Sequence, residues 1–206
     1  MEMRTFIKQI NFPCIMARAL AHHGYLHELA LNNMNESKRV LDELYHFIDH
    51  YRAHPQTLHS FTLTLTDSCY QDFHFFEESF WHFLQTLKDE DKKNFNHDPR
   101  VSDDPMNPEF SYSLKEESFF ILALHPQSPR WSRRFKCAAI VFNPHQQFEE
   151  LRAQGKYTKI RDIIRQRDKI FQGDINPMLS DFGEESEIYQ YMGRYYQAQE
   201  KQNFLQ

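Results

Sequence analysis

Histidine is the residue type that stands out for chemistry, with 12 among 206 residues, alongside three cysteines at Cys14, Cys69 and Cys137. A neutral imidazole is the commonest metal ligand and changes charge near neutral pH. Position therefore decides which histidines matter. His46 and His50 fall four apart on a helical pattern, a metal-compatible spacing, but no acidic residue or third histidine completes a motif. A polar helix face is the plainer reading. His22 and His23 sit near a helix end, where a cation suits the dipole, and His74 and His82 read as core-edge residues of a Phe-rich helix. His125 and His145 differ, because each follows an apolar strand, in Leu124-His125-Pro126 and in Asn143-Pro144-His145. Side chains at the ends of neighbouring strands are well placed to act as ligands on a rigid frame, although a hydrogen-bonded turn histidine accounts for each equally well. Pro126 and Pro129 restrict the backbone around His125, which puts it ahead of His145 as a metal ligand. Cys14 ranks below both, since a free cysteine in an apolar stretch usually behaves as a small hydrophobe.

The charged residues suggest counter-groups. Arg130, Arg133 and Arg134 cluster with Lys136, and Arg18 lies beside the apolar stretch Phe12 to Ala21. A guanidinium fork meets carboxylates two bonds at a time. Asp98, Asp103 and Asp104, or Glu184, Glu185 and Glu187, offer carboxylates for a cation, and Trp81 or Tyr191 a ring face. Solvated loop charge is the simpler account of both acidic groups. The GxSxG, P-loop, GxGxxG and HExxH templates are all absent, so no catalytic residue can be named.

These residues need elements to position them. Pro13 opens a short buried helix that Gly24 stops. Val40, Leu41, Leu44, Phe47 and Ile48 predict an amphipathic helix to about Arg52. Ser60 to Thr66 alternates as a half-buried strand, and Asp72 to Leu87 returns to helix. Asp89 to Pro108 lacks periodicity and reads as a long ordered loop. Phe110–Leu114 and Ser118–Leu124 predict a hairpin around Lys115-Glu116-Glu117, Lys136–Asn143 a third strand, and the chain is helical from His145. Strands and helices do not alternate strictly, so the expectation is one α+β domain over residues 1–206, with a mostly antiparallel sheet flanked by helices. Nineteen Phe and ten Tyr supply its core.

A net charge of −5 and a pI of about 6.2 argue against nucleic-acid binding. The odd, widely spaced cysteines argue against a disulfide scaffold or zinc ribbon. No signal peptide or membrane span is evident, so the expected compartment is the cytoplasm.

The order of several segments is distinctive. Phe12-Pro13-Cys14-Ile15-Met16-Ala17-Arg18 comes first, then Asp98-Pro99 with Asp104-Pro105. Phe119 through His125-Pro126 to Arg133-Arg134-Phe135 follows, then Val141 through Asn143-Pro144-His145 to Arg152. Gly173-Asp174-Ile175-Asn176-Pro177 and Asp181-Phe182-Gly183-Glu184-Glu185 close the set. This series resembles the YqcI/YcgG family over nearly the whole chain, and within it the heme-dependent N-hydroxylases of the guanitoxin-pathway type. The stretch from Ala19 to Tyr25, with Ala21-His22-His23-Gly24, departs from that type. The resemblance implies a heme b enclosed by the fold, with O2 and an electron donor as partners. It further implies hydroxylation of a nitrogen on an arginine-like or other amine or guanidine substrate. His125 or His145 would be the iron ligand, with Cys14 a thiolate alternative, and Arg130, Arg133, Arg134 or Arg18 would meet the propionates. A non-catalytic heme-binding or heme-sensing protein is the alternative expectation, and a homodimer is compatible with either.

Overall fold

Strands rich in Phe, Leu, Ile and Val build a five-stranded sheet in the computed structural model, which describes residues 2–201, 204 and 205. The strands are β1 (Tyr25–Leu31), β2 (His59–Leu65), β3 (Tyr112–Leu114), β4 (Glu117–Leu124) and β5 (Ala139–Pro144), in the order β1-β2-β5-β4-β3. β1 and β2 run parallel, and the other three pairings are antiparallel. The chain is thus a single α+β domain with a mostly antiparallel sheet flanked by helices. Of the expected span 1–206, residues 1, 202, 203 and 206 lie outside the described part.

Among the described residues six α-helices flank the sheet: α1 (Met3–Ile7), α2 (Ile15–His23), α3 (Ser37–Ala53), α4 (Phe73–Asp91), α5 (Gln146–Ala153) and α6 (Tyr157–Gln172). Phe61, Leu63, Phe119, Ile121, Ile140 and Phe142 share the front face of the sheet. There they meet Val40, Leu44 and Phe47 of α3 and Phe76, Phe80 and Leu84 of α4 in the main core. Leu26, Leu124, Ala139 and Val141 point to the back face, where α1 and α2 contribute Met3, Phe6, Ile7 and Leu20 to a smaller core. The same back face carries Phe120, Leu122 and Asn143 toward α5 and α6.

Several local expectations change. The strand at Tyr25–Leu31 was not legible in the sequence. It becomes the parallel edge of the sheet because α3 returns the chain alongside it. The alternation of β2 predicts a half-buried strand, yet Ser60 and Thr62 are buried too, because helices cover the sheet on both faces, α3 and α4 in front and α1 and α2 behind. The hairpin turn is Lys115-Glu116 alone, both in the left-handed region at φ 50° and 57°, and Glu117 already belongs to β4. Asp91 accepts the Lys115 N–H, and Arg52 donates to the carbonyls of Lys115 and Glu116, which holds this two-residue turn without a glycine. The third strand begins at Ala139 rather than Lys136. Gly24 is needed for closeness rather than for a left-handed cap. Its φ is −96°, and a Cβ there would sit 2.6 Å from the Leu58 carbonyl oxygen and 2.9 Å from Leu20 Cα.

Candidate functional site

The back of the sheet is not fully packed. α6 is amphipathic, but Ile160 and Ile164 are only half-buried because they roof a cleft rather than a filled core. The cleft comprises two adjoining cavities of about 280 and about 200 Å³. Cys14, Met16, Phe120, Phe148, Ile164 and Arg165 line both. Leu26, Leu122 and Val141 of the sheet wall the larger one, with Phe6 and Leu20 opposite. Such an apolar concavity with a few convergent polar groups is the usual form of a small-molecule site.

Cys14 occupies the junction. It caps the N-terminus of α2, where its Sγ accepts a hydrogen bond from the Ala17 N–H at 3.4 Å. Burial pushes the thiol pKa up, while the N–H groups of Ala17 and Met16 and the nearby Arg133 favour the thiolate. Arg133 lines the larger cavity and donates to the carbonyls of Ala123, Tyr191 and Gln190, at 3.2, 3.0 and 3.3 Å. Among the described residues no carboxylate lies at ion-pair distance from it, and burial lowers its pKa to about 10, with Asp168 opposing that shift and Arg130 adding to it. A desolvated cation without an anion is costly, so this guanidinium suits an anionic group in the cavity. Gly193, at φ 68°, lets the backbone approach Arg133 closely: a Cβ there would lie 3.2 Å from its Cγ.

The other expected residues are placed differently. Arg130 also borders the larger cavity, but its guanidinium is held by Asp168 and Asp174. Arg134 is exposed and donates to the Ser128 carbonyl. Arg18 lies outside both cavity walls, with the Ile10 carbonyl 3.5 Å from its guanidinium. His125 is buried away from both cavities. Its Nε2 lies 2.8 Å from the Tyr70 carbonyl, its Nδ1 accepts the Gln127 N–H at 3.0 Å, and its ring stacks on Phe76. With both nitrogens occupied and a ring on its face, it serves the fold at the end of β4. The structure does not bring His125 and His145 together. Among the described residues no three His, Cys, Asp or Glu side chains converge as a metal cluster. His50 instead lies 3.2 Å from His59.

His145 does border the smaller cavity, next to a carboxylate that the composition alone read as loop charge. Glu187 is buried, and its Oε1 accepts from Tyr191 Oη at 2.5 Å and Ser111 Oγ at 3.1 Å. Burial pushes its pKa up to about 8 despite those donors. His145 Nδ1 lies 3.4 Å from Ser111 Oγ and 3.9 Å from Glu187 Oε2, and its Nε2 lies 3.0 Å from Glu149. Burial lowers the His145 pKa against the pull of Glu149. Tyr157 and Phe182 complete the wall, and Arg152 places its guanidinium 4.0 Å from the Tyr157 ring centre and 5.9 Å from that of Phe182. Of the other acidic residues, Asp98 and Asp103 are committed elsewhere. Asp98 is buried, yet Arg100 and the Ser118 N–H hold its carboxyl below the usual range. Asp103 pairs with Lys88. Trp81 and Tyr191 are buried in the main core, where the Trp81 ring lies against those of Tyr191 and Phe204.

A family model described as the YqcI/YcgG family matches residues 3–204. An uncharacterized protein, YcgG of Bacillus subtilis (strain 168), is 30% identical over 111 residues. That match takes in 52% of this chain and 43% of the relative, so the chain covers less than half of that protein's length. No solved structure matches. No helix among the described residues is long and apolar enough to cross a membrane.

Proposed function

The chain belongs to the YqcI/YcgG family, and from that premise we propose that it is a heme-dependent oxygenase. It would use O2 and an electron donor to hydroxylate a nitrogen of an arginine-like or other amine or guanidine substrate. One observation carries the reading: the thiol of Cys14 sits at a helix N-terminus between two apolar cavities, beside an Arg133 guanidinium that lacks a carboxylate. A flat apolar cofactor with acidic edges and a metal centre needs apolar walls, a soft or imidazole donor and a cation, and the cleft has all three. On this reading Cys14, rather than His125 or His145, would hold the iron, and Arg133 would meet a propionate. Bound heme supplies activation of O2, which no side chain here provides.

The remaining residues prepare the cavity. Phe120, Phe148 and Ile164 exclude water from it. The Tyr157 and Phe182 faces already accept one guanidinium, that of Arg152, which supports a cationic nitrogen compound as the guest of the smaller cavity. The net change, R–NH2 with O2, two electrons and two protons giving R–NHOH and water, requires a dry site and a proton supply. The test is to express the chain with hemin available, reduce it, add O2 with a panel of amines and guanidines, and seek a gain of one oxygen by mass spectrometry. About one heme per chain and one oxidised nitrogen compound are expected. A protein that takes up no hemin refutes the proposal. Heme uptake with no oxidised product refutes the oxygenase reading and leaves heme sensing.

A further inference from the structure

The buried groups around Glu187 form a continuous chain that the proposed cofactor site does not use. It runs from Tyr191, in the core, through Glu187 and Ser111 to His145 and then to Glu149, which is partly open to solvent. Glu187 and His145 both line the smaller cavity. We propose that Ser111, His145 and Glu149 are a proton path from solvent to Glu187, and that Glu187 holds a transferable proton at the wall of this cavity.

The geometry gives each group a role. Glu187 Oε1 accepts from the Tyr191 and Ser111 hydroxyls, which leaves Oε2 for an acid proton facing His145 Nδ1. Among the described residues no Lys or Arg lies at ion-pair distance from Glu187; the imidazole of His145 is 3.9 Å away, and Arg152 acts on it only through its field. His145 faces Glu149, Ser111 and Glu187, with Arg152 and Asp98 further off, and has one nitrogen on each side of the path. When Glu187 gives its proton to a base in the cavity, the carboxylate left behind favours the Nδ1–H form of the ring. That proton passes to Ser111 Oγ as the Ser111 hydroxyl proton passes to Glu187. As Nδ1 releases its proton, Nε2 takes one from water by way of the Glu149 carboxylate, so the ring is never left without a proton. One proton enters and one leaves, and no electrons move. A neutral acid beside a neutral imidazole is the resting state that burial favours for both.

The purpose of this path rests on the oxygenase reading, but its existence does not, and the test separates the two. Infrared difference spectra of the full chain are recorded through a pH titration, before and after hemin loading, with 13C-labelled glutamate identifying glutamate bands without mutation. A carboxylic-acid C=O band of glutamate should persist at neutral pH, disappear in Glu187→Gln, and shift on deuteration more slowly in Ser111→Ala and His145→Gln than in the parent. Absence of a labelled acid band at neutral pH overturns the proposal whatever the variants do. Equal deuteration rates in the parent and both path variants overturn the route. A chain that takes up no hemin but shows the band and the slowed exchange sustains the path and refutes only the cofactor.

Discussion

Replacing Glu187 by glutamine should change how stability depends on pH. The carboxyl titrates near pH 8 in the folded chain, against an ordinary value of 4.5. The folded state therefore retains a proton that the unfolded chain releases. Stability from this group is fully present below pH 4.5 and is lost as pH rises through the interval up to about 8. Each unit within that interval costs about 1.4 kcal/mol, and Glu187 is too deeply buried for solvent to screen the effect. Urea unfolding of parent and variant at about pH 5.5 and about pH 7.5 should show the parent losing roughly 3 kcal/mol more than Glu187→Gln between the two. The amide oxygen still accepts from Tyr191 and Ser111, so the variant keeps those contacts. His145 has a lowered pKa and contributes with the opposite sign in both chains, losing stability as pH falls. Parallel stability profiles would show that Glu187 does not hold a proton that the unfolded chain releases.

Four further outcomes are expected. Gly24→Ala should destabilise by roughly 1–3 kcal/mol in thermal or urea unfolding, because its Cβ meets backbone at Leu58 and Leu20. Glu116→Gly should stabilise by about 1 kcal/mol by relieving the left-handed conformation at φ 57°, as urea midpoints would record. His125→Ala should cost roughly 2 kcal/mol or more, from the lost Tyr70 and Gln127 bonds and the Phe76 stack, yet leave hemin uptake intact by absorbance titration. Arg133→Leu should weaken hemin binding roughly tenfold to a hundredfold in the same titration, the range for losing one hydrogen bond to a charged group.

The front of the molecule was legible because periodicity alone specifies it: the α3 stripe at Val40, Leu44 and Phe47 and the alternation in β2 carry the main core. The segment Tyr25–Leu31 was not, because Leu26, Leu29 and Leu31 are divided between the two faces by pairing with β2, a long-range contact. At the site, the apolar stretch around Cys14 was visible, but its place at the cleft depends on α6 docking far along the chain. Strand-end position favoured His125, and only the fold shows that Tyr70 and Gln127 occupy its nitrogens. Glu187 had one local signal, a carboxylate one residue before Ile188-Tyr189 in a buried turn. Its partner Ser111 lies 76 positions away, which no local pattern encodes.

Heme held in the back-face cleft through Cys14 is the proposal on which the oxygenase reading rests. The most direct measurement is the absorption spectrum of the reduced, carbon-monoxide-treated protein after hemin loading, in the parent and in Cys14→Ser, His145→Gln and His125→Ala. The red-shifted Soret band of a thiolate-ligated heme is expected in the parent and in both histidine variants, with its loss in Cys14→Ser alone. A parent that remains colourless, or a thiolate band that survives in Cys14→Ser, would contradict it.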